Sequence, residues 1–363
     1  MSKHKLLACS IAPLAKVDRR DVVTWCEISK LIGSNSLFVD RTEIVESPFR
    51  IAIDSRCRLP SMPSRFSKNY EQICDERAAE LLMLQSQLEK PLCLLYSGGI
   101  DSTLMLVSFM KRLSESELRD RIVVYLNSNS INENPEFYRS FVRPRFRFES
   151  SEKALDQLDG HNIVVGAEFN DHLFGNYILQ MLALYYGPAI YRAKYDVDRV
   201  REILGAVGMS DEGRDFWTTT LDHVFKTQTA ARGETMMDFF WWFNFNNRWQ
   251  ASYFSMILRM PERYRKSVNS DFLISNYHHF FMTDDFQCWS IANPDKKIKD
   301  SWESYKWPAK DLIYEFNGDQ KYRDTKIKAP SLNYILMQKK TASGLTDDFE
   351  FHDHLHAHHY LKP

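Results

Sequence analysis

The chain has 363 residues, 44% hydrophobic and 26% charged, with a formal net charge of −1 at pH 7. Length and composition are those of a globular chain with a sizeable core and roughly two domains. The charge balance supplies no general positive field and no acidic tail, which argues against nucleic-acid binding as the main role.

Six cysteines (Cys9, Cys26, Cys57, Cys74, Cys93 and Cys288) form no Cys-x-x-Cys pair, so neither a zinc knuckle nor a redox dithiol is indicated. Scattered thiols fit a reducing compartment. Leu6-Leu7-Ala8-Cys9 imitates a lipoprotein cleavage box, but the apolar stretch before the cysteine is far shorter than the ~7–15 residues a signal peptide needs. No apolar run reaches the ~18 residues of a membrane span. The expected location is cytoplasmic, with no membrane partner.

Residues 1–69 read as a short mixed segment, with strands at Leu37–Val39 and Phe49–Ile53 and a turn-rich end at Leu59–Ser64. Helical spacing follows from about Tyr70 to Lys90, where Pro91 stops it. Leu92–Tyr96 is a continuous apolar run, as in a strand covered on both faces. The loop Ser97-Gly98-Gly99-Ile100 leads into a helix from Asp101. Further strands are expected at Arg121–Leu126, Arg145–Phe148 and Asn162–Val165. Strands alternating with helices predict an α/β fold, a mostly parallel twisted sheet with helices on both faces. From about Ile178 the pattern is mainly helical. Phe239, Trp242, Phe243, Trp249 and Tyr253 recur near helical spacing and read as core; base stacking would need a positive groove beside them.

The loop Ser97-Gly98-Gly99-Ile100-Asp101-Ser102 carries the chemistry. A polyphosphate needs backbone N–H groups at close range, and glycine puts no side chain in the way. The following helix adds unpaired N–H groups and the positive end of its dipole. Ser97 and Ser102 add hydroxyl donors. Asp101 would repel phosphate and makes better sense as a ligand for Mg²⁺. No lysine follows the second glycine, so this is not the GxxxxGK[ST] loop.

Ser-Gly-Gly-x-Asp-Ser resembles the signature of the PP-loop ATP-pyrophosphatases, which cleave ATP between the α and β phosphates. Gly166-Ala167-Glu168-Phe169-Asn170-Asp171-His172-Leu173-Phe174-Gly175-Asn176-Tyr177 resembles the asparagine-synthetase element Gly-Glu-Gly-Ala-Asp-Glu-Leu-Phe-Gly-Gly-Tyr. It matches at Glu168, Asp171, Leu173, Phe174, Gly175 and Tyr177. Ala167 and Phe169 replace the glycines flanking the glutamate, His172 an acidic residue, and Asn176 the second glycine. Asparagine tolerates a left-handed backbone, so the last change is mild. Phe169 and His172 would reshape the acceptor pocket, which leaves the acceptor open. The residue-level alternative is a helix cap at Asn170 or Asp171.

A third resemblance links Tyr305–Lys310 to the family's late helix carrying Lys-x-x-Leu-Arg, and Tyr322–Pro330 to its Arg-x-Lys segment. Phe281–Asp284 is faintly similar to Pro-Phe-Leu-Asp. A departing pyrophosphate needs a cation; Lys326 is the first candidate and Lys328 the second, with solvated surface lysines as the alternative.

The resemblance spans about residues 70–335 and implies an adenine nucleotide alpha-hydrolase-like domain. It implies that ATP is held by Leu95, Ser97, Gly98, Gly99, Asp101, Ser102, Tyr125 and Gly166. It implies Mg²⁺ on Asp101 and Asp171, and catalytic roles for Glu168, Lys306 and Lys326. The activity implied is carboxylate adenylation followed by amide formation. Glutamine-using members begin with a catalytic cysteine at position 2, where this chain has Ser2, and a glutaminase domain is not expected. The amine would be free ammonia, ammonia from a partner protein, or an amine on the small-molecule substrate itself. Alternatives are another PP-loop adenylation, of a nucleobase or tRNA base, or a non-catalytic nucleotide-binding homologue. Residues 336–363 form a His-rich tail with His352, His354, His356, His358 and His359, read as unconnected with the chemistry.

Overall fold

In the computed structural model, the described residues are 5–8, 18–32, 38–49, 53–157, 159–228, 233–253, 268–327, 344–345 and 349–352. Eight strands are described: β1 (Lys5–Ala8), β2 (Leu92–Leu95), β3 (Ile122–Leu126), β4 (Arg147–Ser150), β5 (Ile163–Gly166), β6 (Tyr277–His279), β7 (Gly344–Leu345) and β8 (Phe349–His352). The chain divides into two compact units. One gathers Met1–Met62, Asp171–Arg259 and Met337–Pro363; the other gathers Pro63–Asn170 and Met260–Leu336. The stretch 70–335, expected as one domain, is shared between them.

The second unit contains a five-stranded sheet in the order β4-β3-β2-β5-β6, with every pair parallel. Parallel pairing follows from the helices between successive strands. The chain runs from β2 outward to β4, then returns to the other side of β2 with β5. The order therefore reverses between β2 and β5, the position at whose carboxyl ends open parallel sheets generally bind ligands. Leu92–Leu94 of β2 pair with Ile163–Val165 of β5. Both the glycine loop and the Gly166–Asn170 segment leave from these two ends.

The helix Tyr70–Leu88 starts at a capping box, where Asn69 accepts from the Gln72 N–H and the Gln72 side chain returns to the Asn69 N–H. It ends at Glu89, in a left-handed conformation (φ +51°), before Pro91 can clash. The helix Ile100–Met110 is buried at every residue except Asp101. Such a helix, dressed on all sides, fixes that one side chain firmly.

Two expectations need correction, and one strand was not foreseen. Phe38 and Val39 are not in a strand; Phe38 packs edge-on against Trp25 and Trp217, and tertiary packing overrides the local pattern. Leu37 and residues 50–52 lie outside the described residues. The third strand is Arg147–Ser150, not Arg145–Phe148: Pro144 sits in a helical turn at Arg143–Arg145, where its fixed φ is favourable. All four β4 side chains are exposed, as an edge strand allows. Tyr277–His279, the fifth strand, is too short and too rich in histidine to read as one.

In the first unit the helix Met236–Asn247 is buried at all twelve positions, so it has no solvent-facing side. Trp241 Nε1 donates to the Leu173 carbonyl at 2.9 Å. Asn176 is left-handed (φ +58°) beside Gly175 (φ +103°), a conformation that asparagine tolerates better than most residues. In this unit β8 lies between β1, parallel to it, and β7, antiparallel. His352 ends β8; His354, His356, His358, His359, Lys328 and Cys9 lie outside the described residues. The five described cysteines are buried, and none of them is in a disulfide. Among the described residues no helix is long and apolar enough to cross a membrane.

Candidate functional site

The glycine loop is held rigidly. Gly98 has φ +78°, and a Cβ there would lie 2.2 Å from the Ser130 carbonyl and 2.7 Å from Glu133 Cβ. Only glycine can lie this close to the helix Ser128–Glu133. Gly99 has ordinary extended geometry and forms the N-cap of Ile100–Met110. Ser102 Oγ accepts from the Ser97 N–H at 3.1 Å and lies 3.1 Å from Ser97 Oγ. Ser97 Oγ accepts from the Gly99 N–H at 3.3 Å. The hydroxyls thus brace the turn while its backbone faces the helix N-terminus, the arrangement that favours an anion.

Asp101 is the hub. Lys306 Nζ donates to its two oxygens at 2.7 and 2.6 Å. Asn170 Nδ2 donates to Oδ1 at 2.7 Å, and Asn170 Oδ1 accepts from the Tyr70 hydroxyl at 2.5 Å. Asn170 is wholly buried, and burial holds the Tyr70 phenol well above its usual range. From the sequence, Asn170 is no more than a possible helix cap. Its side chain instead links the second motif to the first, a contact that needs the fold to be known.

Lys306 and Lys326 are not solvated surface lysines. The Lys306 side chain is 1% exposed, and its backbone is left-handed (φ +59°) just before the helix Trp307–Asn317. That conformation costs an L-residue ~1–2 kcal/mol. Lys326 follows the helix Gln320–Thr325, and its ammonium pairs with the Glu133 carboxylate. Glu133 is also the residue on which Gly98 packs, so Lys326 arrives beside the loop. Lys310, at the end of the Tyr305–Lys310 segment, donates to the Glu303 carbonyl and to the Lys326 carbonyl, the latter at 3.0 Å. It is 1% exposed, and desolvation pulls its ammonium down to about 8.

Glu168 leaves β5 and folds back on it. A Cβ at Gly166 would lie 2.5 Å from Glu168 Oε2 and 3.3 Å from the Tyr277 hydroxyl, which explains the glycine. His279 Nδ1 lies 3.0 Å from Glu168 Oε2. His279 is 1% exposed while the carboxylate keeps 31%. β6 supplies His279 because Gly166 and His279 are register partners.

Tyr125 is buried, which raises its phenol above the usual range; its backbone carbonyl accepts the Tyr96 N–H at 2.9 Å. Leu95 ends β2 and is partly exposed. Asp171 belongs to the other unit, where it favours the charged form of Arg248 against that guanidinium's desolvation. His172, in the same unit, is buried, with Nε2 2.8 Å from Ser252 Oγ and Nδ1 3.2 Å from Asn244 Nδ2.

For Mg²⁺, Asp101 offers a carboxylate beside the loop. One or two carboxylates plus phosphate and water oxygens are the usual donor set, so the residue fits. Among the described residues no group of three or more His, Cys, Asp or Glu is placed to cage a metal. No family model matches the chain, and no curated protein matches it.

Proposed function

We propose that the chain is an ATP-pyrophosphatase of the asparagine-synthetase type, an AMP-forming carbon–nitrogen ligase with an adenine nucleotide alpha-hydrolase-like domain. The observation that carries this reading is the meeting of Asp101 and Lys306 beside the Gly98–Gly99 turn, at the sheet's point of reversal. Three segments resembling family motifs converge there from distant parts of the chain.

A substrate carboxylate oxygen attacks the α-phosphorus of ATP. The bond to the α–β bridging oxygen breaks, and pyrophosphate leaves. The Gly98–Gly99 backbone, Ser97 and Ser102 hold the leaving group, with Lys326 and Lys306 as the cations. Stabilising charge where it develops contributes most of the acceleration in such chemistry, and holding the reactants in line adds to it. Mg²⁺ on Asp101 would supply further neutralisation of the phosphates. An amine then attacks the acyl carbon, AMP leaves, and Glu168 takes the proton. Ammonia, a partner's ammonia or an amine of the substrate itself fits this step.

Lys306 and Lys326 are both already paired with carboxylates. This favours, as the second reading, a nucleotide binder without turnover. Measuring AMP and pyrophosphate across a panel of carboxylates and amines separates the two. ATP binding without pyrophosphate release under any condition would leave only the binder.

A further inference from the structure

Lys326 reaches the glycine loop from an insecure foothold. Its backbone stands just past the six-residue helix Gln320–Thr325, where its N–H donates to the Tyr322 carbonyl at 2.9 Å and its ψ of 115° is no longer helical. Helix ends fray, and a lysine side chain has many rotamers, so neither fixes the ammonium by itself. Yet Lys326 Nζ is well placed: it donates to the Glu133 carbonyl at 3.3 Å as well as to the Glu133 carboxylate, and lies 5.9 Å from the centre of the Tyr322 ring.

Lys310 supplies the missing constraint. Its N–H donates to the Lys306 carbonyl at 3.1 Å, at the start of the helix Trp307–Asn317. Its ammonium donates to two neutral acceptors, the carbonyls of Glu303 and Lys326. Asp311, Asp324 and Glu303 favour the charged form and Lys299 opposes it, but desolvation outweighs them all. An ammonium buried against neutral carbonyls costs stability, and such costs concentrate where function requires them.

We infer that Lys310 is a positioning residue for Lys326: its ammonium pins the Lys326 carbonyl, so that the Lys326 ammonium stands beside the Gly98–Gly99 turn and takes β- and γ-phosphate oxygens in place of Glu133. This deepens the proposed ligase reading and rests on its nucleotide site. Lys310 touches no phosphate; it acts through Lys326 alone. AMP has no β- or γ-phosphate and does not engage Lys326.

The test is calorimetric titration of the full chain with inorganic pyrophosphate and, separately, with AMP. Lys326→Met should weaken pyrophosphate binding by about 10–100-fold, the loss of a charge-assisted contact. Lys310→Met should weaken it by about 5–20-fold, with AMP affinity within about twofold of wild type in both variants. Adding Lys310→Met to Lys326→Met should cost no more than about a further twofold, because one residue works through the other. Lys310→Arg, which keeps charged N–H donors, should recover part of the loss. Lys310→Gln, uncharged and too short to span both carbonyls, takes the place of Lys310→Met in the cycle if the methionine variant does not fold. Multiplicative losses in the double variant, or parallel losses for pyrophosphate and AMP, would make Lys310 a structural residue and overturn the role. Wild-type binding that is unchanged in Lys310→Met overturns the role alone. If the wild type binds neither pyrophosphate nor ATP, the nucleotide reading fails and the role falls with it.

Discussion

Lys306 Nζ bridges both carboxylate oxygens of Asp101, 205 residues earlier in the chain. The Lys306 side chain is 1% exposed and that of Asp101 19%, so the pair is neither a solvated surface contact nor sealed from solvent. A cation already sits on the carboxylate expected to face Mg²⁺, and the two must share or exchange that partner when nucleotide enters.

Asp101→Asn should lower pyrophosphate release by at least about 100-fold. It should also destabilise the fold by about 3–5 kcal/mol, because a buried ammonium loses its counter-charge. Adding Lys306→Met should restore part of the stability but none of the turnover. Urea denaturation of both single variants and the double variant gives the coupling; additive losses would show that the ion pair contributes nothing.

The two loop glycines should behave differently. Gly98→Ala places a Cβ 2.2 Å from a backbone oxygen at φ +78°, and should cost about 1–3 kcal/mol and weaken ATP binding. Gly99→Ala meets only the Ser97 hydroxyl at 3.3 Å and should cost under about 1 kcal/mol. Calorimetric titration with ATP and thermal melts of both variants check this. Matching behaviour would mean that the turn does not need its present geometry.

Asn170 joins Tyr70 to Asp101 through both ends of one amide. Asn170→Ala should cost about 1–3 kcal/mol, leaving buried partners unsatisfied. Asn170→Asp sets a second carboxylate against Asp101, and should weaken Mg-free ATP binding more than the alanine variant does. If the two variants bound ATP alike, Asn170 would have no part in setting the charge at Asp101.

Lys310 gives a pH signature. Its folded-state pKa, about 8, lies below its ordinary 10.5. Between these values the unfolded chain binds more protons than the folded one, so this group makes stability rise with pH across that window. Below about pH 8 the full penalty is present, on the order of 3 kcal/mol. Lys310→Met should remove the rise. Denaturation midpoints at pH 7, 8, 9 and 10, taken as wild type minus variant, isolate it from the buried thiols. Cys26 and Cys93 are raised to about 12 and Cys288 to about 11, and lose stability as pH rises. Parallel curves for wild type and variant would contradict the assignment.

The parallel sheet was legible because β2, β3 and β5 are apolar runs with turns at their ends, and an apolar run covered on both faces has few other readings. The glycine loop was legible because its residue types are forced by backbone approach. β6 was not: Tyr-His-His becomes a strand only because β5 offers it an edge. For the same reason His279 could not be seen as a partner of Glu168, nor Asn170 as a partner of Asp101. These contacts join residues 111 and 69 positions apart, and local pattern carries no information at that range. Lys306 and Lys326 are singled out by resemblance alone, and their burial was not readable, since lysine is mostly an exposed residue.

The helix Met236–Asn247 carries a further consequence. Phe239-Phe240-Trp241-Trp242-Phe243-Asn244-Phe245 contains no charge and no proline, and every one of these side chains is shielded in the native chain. Once its unit opens, that run becomes a sticky strand-forming segment of the kind that seeds intermolecular association. Heating should therefore end in precipitation rather than a reversible melt, and the protein's working durability is governed by how slowly this helix is uncovered.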